Sequence, residues 1–162
     1  MFFTKNELYG VTEGYKITES RSKSLQSDKF DIFLSHSYDD KNYIYKLKSE
    51  LESMGLTVYV DWIVDSILNR NNVTKQTAMV LRQRMKQSNY LLYASSTNSN
   101  NSKWMPWELG FFDGYKGKVG IIPIVDYSYE ITFEGQEYLS LYECLSKDDL
   151  KKLALKTKLS RY

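Results

Sequence analysis

The sequence contains a single cysteine, Cys144, and a single histidine, His36, among its 162 residues. One cysteine cannot form an internal disulfide, and its isolation favours a reducing compartment. One histidine and one cysteine also give no ligand spacing of the usual zinc type. They leave no obvious Cys/His or Ser/His/Asp catalytic set either. We therefore expect no metal site, and a function that uses other residue types.

Excess charge and long apolar runs are also missing. The formal net charge is +2, without a dense Lys/Arg stripe, so there is no electrostatic reason to expect a nucleic acid as partner. The longest apolar stretch, residues 121–125, is far too short to cross a bilayer, and the N-terminus lacks the apolar region of a secretory signal. The sequence thus predicts a cytoplasmic protein without a membrane partner.

The sequence does contain enough apolar material for one domain. At 42% hydrophobic and 26% charged residues, its composition is that of an ordinary globular protein. Residues 1–28 differ from the rest, because serines alternate with charged residues in a polar run. We interpret this stretch as a polar N-terminal arm or linker. Residues 29–162 are then the folded domain.

Strand and helix patterns alternate along this domain. Short apolar runs predict strands over residues 30–34, 56–60, 90–94 and 119–125, and the tyrosine-rich segment predicts a fifth at 138–141. Pro123 inside the fourth strand indicates an edge position or a bulge. Between the strands, helices are predicted after a cap at Asp39 or Asp40, after Thr74, near Trp104, and over 146–159. This order predicts an α/β fold, a doubly wound, mainly parallel five-stranded sheet with helices on both faces.

Polar residues follow the strands at the edge where such sheets bind ligands, outside the carboxyl ends. Those ends are residues 35–37, 61–62 and 95–96, the last leading into the stretch 102–110. In a helix starting near Trp104, with Ser102 as a candidate cap, Trp104 and Glu108 share one face. A carboxylate among aromatic side chains either points to water or has a function that offsets its desolvation. Glu108 follows one of these strand ends, at the edge of the sheet where ligands bind, and this position favours a functional role for the carboxylate.

These segments resemble Toll/interleukin-1 receptor (TIR) domains, in particular bacterial ones. Residues 30–37, with the sequence FDIFLSHS, are similar to the first strand and loop of that family, and residues 58–62 to its second strand and BB loop. Ser96, Ser102, Trp104 and Glu108 match the two serines, the tryptophan and the glutamate of the NAD-cleaving members. The resemblance covers residues 30–125, although the BB-loop region lacks the proline-glycine tip of animal TIR domains.

The resemblance implies the flavodoxin-like TIR fold and an NAD+ nucleosidase, with NAD+ as substrate and no cofactor. Glu108 is the implied catalytic carboxylate, which stabilises positive charge on the ribose as the bond to nicotinamide breaks. The implied substrate-binding residues lie on the same rim: Phe33, Ser35, His36, Ser37, Asp61, Trp62, Ser96, Ser102 and Trp104. For His36, a structural hydrogen bond is an equally good interpretation.

Three functions are compatible with this resemblance. In the first, an ADP-ribose-derived product, cyclic rather than linear, activates a separate effector, as in Thoeris-type antiphage defence, and other TIR protomers join on activation. The second is a non-catalytic adaptor that acts through TIR–TIR contacts, and the third is a pathogen effector that interferes with host TIR signalling. Release of nicotinamide from NAD+ distinguishes the enzyme from the adaptor.

Overall fold

A parallel sheet forms the centre of the structure, a computed structural model that describes residues 1–9, 28–65, 74–126, 133 and 135–161. Its strands run in the order β1-β5-β4-β2-β3, and β6 also pairs with β5. The strands are β1 (Phe3–Thr4), β2 (Phe30–Ser35), β3 (Val58–Tyr59), β4 (Ser88–Ser95), β5 (Val119–Val125) and β6 (Glu143–Cys144). The predicted parallel α/β sheet is confirmed, since every pairing is parallel.

The outer side of β5 is shared by two short strands. In the pairing register, β6 lies opposite Gly120 and Ile121, whereas β1 lies opposite Ile124 and Val125. Pro123 therefore falls between the two short partners on this side and pairs with Ser95 of β4 on the other. A proline has no N–H to donate to a ladder, so this gap suits it. The sheet is five strand positions wide, as predicted, but β1 and β6 share the outermost position in place of the strand expected at 138–141.

Helices cover both faces of the sheet. They are α1 (Lys5–Leu8), α2 (Lys41–Ser53), α3 (Asp61–Val64), α4 (Lys75–Lys86), α5 (Trp104–Tyr115) and α6 (Lys147–Leu159). The predicted cap of α4 is confirmed, because the Thr74 hydroxyl accepts the Thr77 N–H at 3.4 Å. The Ser146–Asp149 capping box of α6 is confirmed as well, with the Ser146 hydroxyl accepting the Asp149 N–H at 3.2 Å.

The central strands are buried on both faces, as their unbroken apolar runs predict. In β2, Ile32 and Leu34 face a cluster that includes residues of α2 and α6. Phe33, between them, faces the opposite cluster, which includes residues of α4 and α5. Every residue of β2 is buried. The helix α5, which carries Glu108, therefore packs against the second face of the sheet.

The first nine residues differ from the expected polar arm. Phe3 pairs with Ile124 and is 4% exposed, and Leu8 of α1 is fully buried in the first cluster. Glu7 also forms an ion pair with Lys147 of α6. Two apolar residues, Phe3 and Leu8, in so short a segment do not show a helical or strand periodicity. Their burial is therefore visible only in the tertiary structure. Residues 10–27, the remainder of the predicted arm, lie outside the described residues.

The prediction of a strand at 138–141 is wrong. Residues Glu137–Leu141 form a 3₁₀ helix, and the extra strand, β6, begins two residues later. Short apolar runs do not distinguish strand from helix, and Leu139, 1% exposed, packs into the second cluster from this helical turn. None of the helices in the described part of the chain is long and apolar enough to span a bilayer.

Candidate functional site

A cleft of about 920 Å³ opens beyond the carboxyl ends of β2 and β4. Its walls come from the loop after β2, from α4, and from the loop that leads into α5. The residues that line it are Ser37, Tyr38, Asp39, Ala78, Arg82, Asn101, Ser102, Lys103, Trp104 and Trp107. Of the residues predicted for the rim, Ser37, Ser102 and Trp104 are in this group. The lining therefore combines polar and charged side chains with three aromatic ones, Tyr38, Trp104 and Trp107.

Glu108 lies next to this cleft but is not part of its surface. The side chain is 3% exposed, and its Oε1 accepts a hydrogen bond from the Ser35 hydroxyl at 3.0 Å. Two predicted site residues, 73 positions apart in sequence, are therefore in direct contact. Ser37, two residues after Ser35, and Trp104, one helical turn before Glu108, both line the cleft. The carboxylate consequently adjoins the inner wall of the cleft in a water-poor setting, where a charge acts more strongly than in water.

Tyr93 on β4 contributes to the surroundings of this carboxylate. Burial raises the pKa of Tyr93 to about 12, and the charge of Glu108 adds to the shift. Its hydroxyl also lies 3.4 Å from Oε1 of Gln136, to which it donates. Tyr93 therefore remains a neutral phenol at every physiological pH. It brings no second negative charge to the neighbourhood of Glu108.

The start of α5 is held by Ser102, as the sequence predicts. The Ser102 hydroxyl accepts the backbone N–H of Met105 at 3.2 Å, although the helix boundary is assigned one residue later. Trp104 and Trp107 follow, with ring centroids 5.5 Å apart in an edge-to-face arrangement. Trp107 is 36% exposed, so it presents part of its ring to the cleft. Ser102 is thus a capping residue and Trp104 a wall of the cleft.

His36, Asp61 and Trp62 come together at one point beside β2. The indole N–H of Trp62 donates to Nε2 of His36 at 2.7 Å, and Nδ1 of His36 lies 3.0 Å from the Leu34 carbonyl. Because an indole nitrogen only donates, Nε2 is unprotonated and Nδ1 carries the hydrogen. The Asp61 carboxylate lies 3.8 Å from Nε2. His36, at 2% exposure, therefore has structural hydrogen bonds, the alternative to ligand contact that the sequence left open.

Trp62 is tied to this arrangement by aromatic packing. Its ring meets Tyr45 edge-on at 4.6 Å between centroids, and Tyr38 at 6.5 Å. Tyr38 is exposed and lines the cleft, so Trp62 supports the cleft from behind. Trp62, Asp61 and His36 thus lie in the layer beneath the rim, and the cleft is not lined by them.

Asp40 connects the two loops that form the cleft. We expected Asp39 or Asp40 to cap α2, but Asp40, fully buried, makes no side-chain cap bond. Its carboxylate instead accepts hydrogen bonds from the Ser96 hydroxyl and from the Asn98 side-chain amide, the latter at 2.7 Å. The same Ser96 oxygen accepts the backbone N–H of Asn98 at 3.1 Å. Ser96, predicted to bind substrate, is fully engaged in holding the loop after β4.

Phe33 does not lie on the rim. It is 1% exposed and stacks on Tyr59 with ring centroids 5.1 Å apart, inside the second core cluster. The expectation that Phe33 lines the site is wrong because its ring, although on a strand that leads to the site, packs against α4 and α5 below the surface of the cleft. The sequence placed Phe33 near the carboxyl edge of the sheet, but it could not show whether the side chain lines the cleft or packs in the core beneath it.

The segment that follows β3 begins with a short helix. Asp61 starts α3, and Asp65, just after it, accepts hydrogen bonds from the Tyr59 hydroxyl at 2.7 Å and from Arg84 at 2.8 and 2.9 Å. Burial opposes the charge of Arg84, but the Asp65 carboxylate nonetheless raises its pKa, so the ion pair persists. It anchors the end of α3 to α4. Residues 66–73 lie outside the described residues.

Two features of the site were missed by sequence reasoning. The first is the link from Asp40 to Ser96, whose only sequence signal is a polar residue in each loop. The second is the pair of cations that line the cleft, Arg82 on α4 and Lys103 before α5. Arg82 is exposed on α4, where only the inward-facing apolar residues follow a helical spacing. The sequence therefore does not distinguish Arg82 from any other charged residue on the surface of a helix. In the described part of the chain, no group of three or more His, Cys, Asp or Glu is arranged to hold a metal ion.

The sequence of this chain is similar to proteins of one known family. The TIR domain family matches residues 32–154, which include the loops of the cleft and Glu108. The "Probable 3' cyclic ADP-D-ribose synthase ThsB'" of Bacillus cereus (strain MSX-D12) is 43% identical over 90% of this chain and 83% of its own length. The "Putative cyclic ADP-D-ribose synthase TIR2" of Cytobacillus dafuensis is 30% identical over 68% of this chain, but over only 30% of its own length.

Among solved structures, the TIR domain of the Toll-related receptor TRR-2 from Hydra magnipapillata has a TM-score of 0.49 at 16% identity. That similarity covers 82% of this chain and 98% of the receptor domain. The family match extends over more than half of the chain, and the Bacillus cereus relative is 43% identical over 83% of its own length. The chain therefore belongs to the TIR domain family.

Proposed function

We propose that this protein cleaves NAD+ between nicotinamide and ribose and converts the remainder into a cyclic ADP-ribose. The observation that carries the proposal is the buried Glu108 carboxylate, fixed by Ser35 beside an aromatic cleft at the carboxyl edge of the sheet. A purely structural helix gains nothing from a carboxylate in this position, because its desolvation is costly. A site that must stabilise a cation gains a great deal.

In this reaction nicotinamide leaves with the electron pair of the carbon–nitrogen bond, and positive charge develops on the ribose. Glu108 lowers the energy of that state by its negative charge, as carboxylates do in glycoside hydrolysis. Ser35 fixes the carboxylate orientation through its hydrogen bond, so little reorganisation is needed during the reaction. A hydroxyl or ring nitrogen of the same molecule then attacks the cation, with loss of any proton that it carries, and closes the ring.

Closure within one molecule requires that water be kept from the cation. Trp104 and Trp107 give the cleft aromatic surface on which a base can stack, and Tyr38, on the loop after β2, also lines the cleft. Both curated relatives have names that describe cyclic ADP-D-ribose synthases. These two points favour a cyclic product over linear ADP-ribose. We propose in addition that the product activates a separate effector in antiphage defence.

The burial of Glu108 bears on how such an enzyme is switched on. At 3% exposure, the carboxylate meets a substrate only after part of the cleft wall moves. Contact with a second TIR protomer would move it, and the exposed side chain of Tyr115 on α5, outside the cleft lining, offers a surface for such contact. We therefore propose that the single protomer has low activity and that assembly with other protomers raises it.

One experiment tests the function directly. The purified protein is incubated with NAD+ across a dilution series, and nicotinamide release is followed by chromatography and the product by mass spectrometry. We expect nicotinamide to appear, with specific activity rising with protein concentration, and a major product one water lighter than ADP-ribose. Linear ADP-ribose as the only product would contradict the cyclase proposal. No nicotinamide at any concentration would contradict NAD+ cleavage and favour the adaptor.

A further inference from the structure

The cleft contains a basic pair that the cleavage step does not require. Arg82 projects from α4 and Lys103 precedes α5, and both line the cleft. Both side chains belong to exposed residues. Within the described part of the chain, neither has a hydrogen bond or an ion pair with an acid. Of the described lining residues, Asp39 is the acid that opposes these two cations.

The position of Lys103 is unfavourable for the helix alone. It is the N-cap residue of α5, and the first turn of that helix has no acidic residue. The N-terminal end of a helix is already positive, so a further cation there is destabilising. An anion bound between Lys103 and Arg82 would remove that penalty. Concave surfaces lined by cations also concentrate anions from solution.

We infer that Arg82 and Lys103 form the subsite for the diphosphate of the dinucleotide, an inference that rests on the proposed function for the identity of the substrate. A guanidinium binds phosphate oxygens through two parallel hydrogen bonds, and an ammonium acts as a compact charge. The aromatic wall beside them, Trp104 and Trp107, suits the rings on either side of the diphosphate. Glu108 lies at the inner wall, where the ribose that reacts would be placed.

Binding of ADP-ribose, measured by calorimetry, tests the subsite without relying on catalysis. The protein is compared with the variants Arg82→Ala and Lys103→Ala, and with Lys86→Ala as matched control. Lys86 is exposed on the same helix, one turn beyond Arg82, and does not line the cleft. We expect each cleft variant to raise the dissociation constant about tenfold or more, and the control variant to leave it within about twofold. Arg82→Lys, which keeps the charge but loses the planar fork, should fall between.

Adenosine, titrated in parallel, lacks the diphosphate. Its binding should respond equally little to all variants, because it makes no contact with the basic pair. The inference is overturned if Arg82→Ala and Lys103→Ala bind ADP-ribose as tightly as the unaltered protein, or if they weaken adenosine to the same degree. The proposed function is tested by a separate measurement, the release of nicotinamide from NAD+ by the unaltered protein, and it fails if no nicotinamide is released. ADP-ribose bound through the basic pair would still support the subsite in that case.

Discussion

Replacement of Glu108 by glutamine tests the site most directly, because it removes a charge and almost nothing else. The glutamine amide has the shape of the carboxylate, and its oxygen can still accept the Ser35 hydroxyl that now lies 3.0 Å from Oε1. A neutral amide is also less costly to bury than a carboxylate at 3% exposure. We therefore expect the free energy of unfolding to change by no more than about 1 kcal/mol.

The effect on catalysis should be far larger. Removal of one preorganised electrostatic group typically lowers the rate by about a hundredfold or more, which corresponds to ~2.7 kcal/mol of transition-state stabilisation. We expect at least that loss in kcat for nicotinamide release, with thermal unfolding unchanged. The matched control is Glu143→Gln, which neutralises an exposed carboxylate on the edge strand β6. The control should retain both activity and stability.

Two outcomes would refute this reasoning. If Glu108→Gln releases nicotinamide at a rate within about tenfold of the unaltered protein, the carboxylate does not stabilise the developing cation. If the variant unfolds several degrees earlier and the control does not, the loss of activity reports a damaged fold. Measurement of both quantities on the same preparations separates these cases.

Three further predictions concern how the domain is held together. Leu8→Ala should lower the free energy of unfolding by about 2–5 kcal/mol in a denaturant titration, because Leu8 is fully buried; an unchanged midpoint would show that α1 does not contribute to the core. Asp40→Ala removes the carboxylate that accepts the Ser96 hydroxyl, so it should raise KM for NAD+ more than it lowers kcat. A drop in kcat alone would argue against a role of Asp40 in positioning the loop after β4. The Lys147 hydrogen bond lowers the pKa of Glu7, so the stabilisation by this ion pair is present above about pH 4.5 and is lost as the pH falls below that value. The difference in melting temperature between the protein and Lys147→Met should therefore shrink as the pH is lowered below about 4.5. A difference that stays constant with pH would contradict the ion pair.

The sequence by itself determined the α/β class and the edge of the sheet that carries the site. Both follow from local patterns, since apolar runs and helical spacings repeat within a few residues. The same local information identified the caps at Thr74, Ser102 and Ser146. A cap is a contact between residues three positions apart, so it can be read from the chain alone.

The tertiary structure alone decided which side chains on that edge face the cleft. Phe33, Ser35 and Ser37 alternate along one segment, yet Phe33 packs in the core, Ser35 contacts Glu108, and only Ser37 lines the cleft. Asp40 likewise does not cap its own helix, α2, and its carboxylate accepts the hydroxyl of Ser96, 56 positions away in sequence. Such contacts depend on where separate strands end relative to one another. That relation is set by the packing of the whole sheet, and no stretch of sequence contains it.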